Sequence, residues 1–167
     1  MTSPEFTNPQ AIARDAADAI RSRLPLTNVG MGLVLGSGWS AGVDRLGETI
    51  GRIPLSELPG FCAPVVAGHG GDLVAVSLPT GKTAVVLTGR THFYEDRGVE
   101  PVVHGVRTVA ALGATTMILT NGCGGLDPSW GPGTIVAIRD HINLTGATPL
   151  RGATFIDMST AWTPRPS

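Results

Sequence analysis

The stretch Thr115–Leu126, TTMILTNGCGGL, constrains this chain more than any other. Five residues, Thr115 to Leu119, form an apolar and β-branched run that stops abruptly at Asn121 and a glycine-rich turn. Such a run reads as a buried strand. The turn Asn121-Gly122-Cys123-Gly124-Gly125 lets the backbone bend tightly and approach a ligand, because glycine has no Cβ in the way. In open α/β sheets ligands bind beyond the carboxyl ends of the strands. Two other strand ends carry similar material: Leu35-Gly36-Ser37-Gly38 and Leu87-Thr88-Gly89-Arg90-Thr91-His92. The expectation is that these three ends meet at one anion site.

The remaining chain supplies the frame. Asn8 is placed to cap a helix with Pro9 as its first residue, and Pro25 ends it. Gly32–Leu35 reads as a central strand, apolar on both faces. Gly42–Gly51 reads as a short helix or loop, and residues 53–63 as irregular, since they hold Pro54, Pro59 and Gly60. Residues 64–71 read as a short strand and turn. Asp72–Leu78 and Lys82–Thr88 form a predicted hairpin across Pro79-Thr80-Gly81, and Glu100–Leu112 a predicted helix stopped by Gly113. A β-branched run opens Thr134–Asn143, with Asp140 and His141 as strand neighbours on opposite faces. A mixed central β-sheet flanked by helices, an α/β fold in a single domain over residues 1–167, is the expected class.

Composition narrows the function classes. A formal net charge of −1 argues against a broad nucleic-acid face. Cys62 and Cys123, the two cysteines, make neither a disulfide framework nor a zinc spacing. No apolar run approaches the ~20 residues of a membrane helix, and the polar start MTSPEFTNPQ lacks a signal pattern. A cytoplasmic protein with neither membrane nor nucleic-acid partners is expected.

Several residues can carry chemistry. Positions 90, 92 and 94 would share one face of a continued strand, presenting a guanidinium, an imidazole and a phenol. Arginine can grip phosphate through two parallel hydrogen bonds, and histidine can donate another or move a proton. Gly36-Ser37-Gly38 offers a hydroxyl and backbone N–H groups as an anion nest. The same residues, continued to Ala41, match a G-x-G-x-x-A dinucleotide fingerprint, with Glu57 as the downstream acid. That alternative, an NAD-binding oxidoreductase domain, lacks a clean second parallel strand, because Pro54 and Pro59 bracket the acid. His69, between glycines, stands in a loop able to close on a ligand.

Together these motifs resemble a known family. Gly36-Ser37-Gly38, Gly68-His69-Gly70-Gly71, Gly89-Arg90-Thr91-His92-Phe93-Tyr94-Glu95, Leu119–Leu126 and Asp140-His141-Ile142-Asn143-Leu144 follow the order and approximate spacing of the trimeric purine nucleoside phosphorylases, from about Ile12 to about Pro164. Methylthioadenosine phosphorylases share that architecture and are the near alternative. The resemblance implies cleavage of a purine (deoxy)ribonucleoside by inorganic phosphate, giving free base and (deoxy)ribose 1-phosphate, with no cofactor, no metal, and a homotrimer. It assigns phosphate contacts to Ser37, His69, Arg90, Thr91, His92 and Gly122, with His92 and His69 as catalytic candidates. It places Tyr94, Asn121, Cys123 and Gly124 on the ribose and nucleoside side. Two departures stand out: Trp39-Ser40 where the family reads Leu-Gly, and Gly122-Cys123 where it usually has two alanines. The family also continues well beyond the point matched by Ser167. An N-terminal piece, truncated at its C-terminus and carrying mainly the phosphate half of the site, is therefore expected.

Overall fold

The computed structural model describes residues 8–36, 38–62 and 71–150. Among these residues five strands form one mixed sheet: β1 (Val29–Val34), β2 (Glu48–Pro54), β3 (Asp72–Ser77), β4 (Thr83–Leu87) and β5 (Thr116–Leu119), in the order β2-β3-β4-β1-β5. β2, β3 and β4 are antiparallel neighbours, whereas β1 is parallel to both β4 and β5. Helices α1 (Pro9–Arg23) and α2 (Val99–Ala111) pack against each other.

The expected α1 forms for the expected reason. The Asn8 side chain accepts a hydrogen bond from the Ala11 N–H at 3.1 Å, and Pro9 occupies the first turn. Strand alternation then divides the core. On one face Leu73, Ala75, Val85 and Leu87 pack with Ala17 and Ile20 of α1 and Val109 of α2. On the other, Val74, Val76, Ala84 and Val86 pack with Val43 from a 3-10 helix, Ser40–Arg45. β3 and β4 form the predicted hairpin, and α2 stops at Gly113, whose φ is +99°.

Four expectations are corrected. Residues 48–54 are a strand rather than a short helix or irregular chain. β2 is an outer strand of the sheet, where a terminal proline costs no ladder bond, and Gly51 lets Leu24 lie directly over it. Among the described residues β5 is an outer strand rather than a buried one: it pairs with β1 on one side, and Ile118 and Leu119 are 41% and 63% exposed. Residues 134–143 form no strand. Ile135, Val136 and Ile138 are exposed, and Asp140 and His141 are joined locally, the His141 N–H donating to Asp140 Oδ1 at 2.9 Å. β-branched composition favours a strand only where a neighbour offers hydrogen bonds and a face to pack on. Finally, β4 does not continue through residue 94. The expected strand at 64–71 lies, apart from Gly71, outside the described residues.

Candidate anion site at the ends of β1, β4 and β5

The three parallel strands end together. Val34 is in register with both Leu87 and Leu119, so their carboxyl ends lie side by side. The Leu35 N–H donates to Leu87 O and the Thr120 N–H to Val34 O, both at 2.9 Å, which carries the pairing one residue past each strand. This is the convergence that the glycine-rich strand ends predicted.

Thr120 joins the three ends. Its hydroxyl oxygen accepts from the Gly36 N–H at 2.9 Å and donates to Val34 O at 3.1 Å. Its carbonyl accepts from Arg90 Nη1 at 2.7 Å. A guanidinium has five donors, so Arg90 can hold this strut and still present N–H groups elsewhere. Gly36 is glycine for a steric reason: a Cβ there would lie 2.6 Å from Thr120 O and 2.9 Å from both Arg90 Nη1 and Asn121 Cα. The Gly36 N–H, expected to face an anion, is instead occupied by Thr120.

A second close crossing fixes the start of the Arg90 loop. A Cβ on Gly71 would meet Gly89 Cα at 2.5 Å and Gly89 N at 2.6 Å, so two backbones touch where only glycine fits. The Thr88 N–H donates to Asp72 O, and Thr88 Oγ1 accepts from the Asp72 N–H, each at 2.9 Å.

Beyond Arg90 the chain turns into a 3-10 helix, Phe93–Glu95, capped by His92. The Glu95 carboxylate accepts from the His92 backbone N–H at 2.7 Å and lies 3.2 Å from His92 Nδ1. It also pairs with Arg97 Nε at 3.5 Å. The capping box is reciprocal, the His92 side chain accepting from the Glu95 backbone N–H, so the imidazole is held against the turn on its Nδ1 side. The Tyr94 ring stacks on His92, centroids 4.8 Å apart and planes 13° from parallel. His92 and Tyr94 therefore do come together, through a helical turn rather than along a strand. Glu95 is the His92 partner that strand reasoning missed. Its signal was the spacing of a capping box, with Glu three residues after the cap.

Asn121, Gly122, Cys123 and Gly124 follow Thr120 directly and are exposed. The Asn121 backbone lies against Gly36. The turn is backed by Trp130, which sits over Gly125, and by Asp127, whose carboxylate accepts from the Ser129 N–H and hydroxyl. Those two bonds hold the Asp127 carboxyl below its ordinary range. Thr91, half-buried, lies between Arg90 and His92. Ser37 and His69 lie outside the described residues. Among the described residues, no three His, Cys, Asp or Glu side chains cluster as metal ligands would.

The dinucleotide alternative loses its frame. β1 leads through a 3-10 helix to β2, which lies at the far side of the sheet from β1 and pairs antiparallel with β3, so the helix and adjacent parallel strand of a βαβ unit do not follow β1. Glu57 is engaged with Arg23 at 2.6 Å.

Comparison with known proteins agrees with this geometry. A family model described as "Phosphorylase superfamily" matches residues 31–166. A purine nucleoside phosphorylase from Cellulomonas sp. is 49% identical over 95% of this chain and 58% of its own length. One from Mycobacterium tuberculosis is 42% identical over 95% of this chain and 59% of its own. Among solved structures, Schistosoma mansoni purine nucleoside phosphorylase in complex with inosine superposes with a TM-score of 0.62 at 28% identity, over 78% of this chain and 43% of that one. Isoform 2 from the same organism, in complex with cytosine and ribose-1-phosphate, gives 0.62 at 30% identity over 71% and 40%. The chain thus spans somewhat under three fifths of the length of these curated relatives. With a family match over most of its length, a relative 49% identical and a shared fold, the chain belongs to the phosphorylase superfamily.

Proposed function

We propose that this chain provides the phosphate and ribose side of a purine nucleoside phosphorylase site, for the reaction of a purine nucleoside with inorganic phosphate to give free base and ribose 1-phosphate. The observation that carries this reading is the convergence of three parallel strand ends, with the Arg90 guanidinium anchored on Thr120 O. The names of the relatives and the ligands in the neighbouring structures support the substrate class.

In this reading Arg90, Thr91, His92 and the Gly122 N–H hold phosphate, together with Ser37 and His69. Tyr94, Asn121, Cys123 and Gly124 face the nucleoside. Hydrated phosphate is a poor nucleophile. Fixed donors replace its water and hold one oxygen toward the anomeric carbon. Cleavage passes through an oxocarbenium-like ribosyl cation, by analogy with glycoside chemistry. The phosphate dianion, held beside that cation, stabilises it electrostatically. Phosphate is the co-substrate and no further cofactor enters the scheme. A cytoplasmic homotrimer is the assembly that goes with it.

Titration of the isotope-labelled chain with inorganic phosphate tests the reading. Saturable shifts at Arg90, His92 and Gly122 are expected, and a folded chain with no shift at any of them contradicts it. Assay with inosine and phosphate tests the division of labour. Efficient release of ribose 1-phosphate by this chain alone would show that it holds the base side as well.

A further inference from the structure

The strut between Arg90 and Thr120 raises the question of what keeps that carbonyl in place. Thr120 is half-buried, and its own backbone N–H donates to Val34 O at 2.9 Å. Its hydroxyl reaches the same carbonyl at 3.1 Å and also accepts the Gly36 N–H at 2.9 Å. One side chain therefore bridges the turn after β1 to the last residue of β1 and the end of β5. The Thr120 carbonyl then receives Arg90 from the end of β4. Valine has the same shape but cannot do this. It would leave the part-buried Gly36 N–H without its acceptor and free the turn from β5. Serine keeps the hydroxyl.

We infer that Thr120 is a positioning residue for the anion site: its hydroxyl fixes the β1 and β5 ends so that its carbonyl aims the Arg90 guanidinium. Thr120 itself need not touch phosphate. The inference rests on the phosphate reading of the site, and it adds the residue that sets the direction of the arginine fork. A fork matched to a tetrahedral oxyanion depends on orientation more than a point charge does. Loss of Thr120 should therefore act through Arg90 and no further.

A double-mutant cycle separates this role from general stability. Inorganic phosphate affinity is measured for the full chain and for T120V, T120S, R90K and T120V/R90K. T120V is expected to weaken phosphate about tenfold, and T120S by less than twofold. In the R90K background, where the fork is already lost, T120V should weaken binding less than twofold. An equal loss from T120V in both backgrounds, or none in the unaltered background, overturns the inference. If the unaltered chain does not respond to phosphate, the phosphate reading fails, and positioning is then judged without ligand. T120V must shift the Arg90 Nε–H resonance and open the Gly36 amide to exchange, and T120S must do neither. An unmoved Arg90 resonance in T120V overturns the claim.

Discussion

Gly36→Ala is the substitution on which the site's geometry bears most sharply. The added methyl would stand 2.6 Å from Thr120 O and 2.9 Å from Arg90 Nη1 and Asn121 Cα. Two of those three atoms are backbone and cannot rotate away. If the strand ends spread, the cost is that of overpacking, about 1–3 kcal/mol. Arg90 must give way as well, and full loss of its charge-assisted bond to Thr120 O would cost about 1.5–3 kcal/mol. With the backbone contacts and the displaced Arg90 acting together, the expected loss is about 2–3 kcal/mol, or about 4–12 °C in melting temperature for a chain of this size. Thermal denaturation followed by circular dichroism measures it, and phosphate affinity should fall in parallel by about tenfold. Gly42→Ala is the control, because a Cβ there meets nothing within 4 Å among the described residues; its melting temperature should move by no more than about 2 °C. If Gly36→Ala melts like Gly42→Ala and binds phosphate normally, the three strand ends are not packed as argued.

Three further outcomes are expected. Asn8→Ala removes the α1 cap and should cost about 1 kcal/mol in urea denaturation without changing phosphate affinity. Glu95→Ala frees the His92 ring from its 3.2 Å partner and should weaken phosphate several-fold while leaving the melting temperature within about 2 °C. His104 of α2, 1% exposed, is held below the ordinary histidine range by burial, with Arg107 adding to the effect and the bond to Pro59 O at 2.9 Å opposing it. Its folded-state value is depressed, so its contribution to stability is complete above the unfolded value of about 6.5 and is lost as pH falls below it. His104→Phe should flatten the decline in melting temperature between about pH 6.5 and 5, and an unchanged slope would contradict the burial argument.

Much of the fold was legible because its determinants are local. Asn8-Pro9 caps α1, Pro79-Thr80-Gly81 turns the β3–β4 hairpin, and Gly113 stops α2. The convergence of the strand ends was legible for a similar reason: glycine recurs where backbones must approach, as at Gly36 and at the Gly71–Gly89 crossing. What could not be read was anything decided by neighbours. The run after Thr134 has the composition of a strand, yet its isoleucines are exposed and no ladder forms. β5 is as apolar as a buried strand and lies at the margin of the sheet. β2 contains Gly51 and Pro54, which argue against a strand until Leu24 and β3 are in place. In the site, His92 and Tyr94 were paired correctly but on the wrong backbone, since Glu95 draws the chain into a 3-10 turn that period-two spacing cannot show.

The account stands on an oxyanion bound where β1, β4 and β5 end. A crystal structure of the chain grown in phosphate tests this most directly. The prediction is tetrahedral density within hydrogen-bonding distance of the Arg90 guanidinium, His92 and the Gly122 N–H, with the Arg90–Thr120 strut intact. Phosphate bound elsewhere, or a well-ordered Arg90 and His92 with nothing between them, would contradict it.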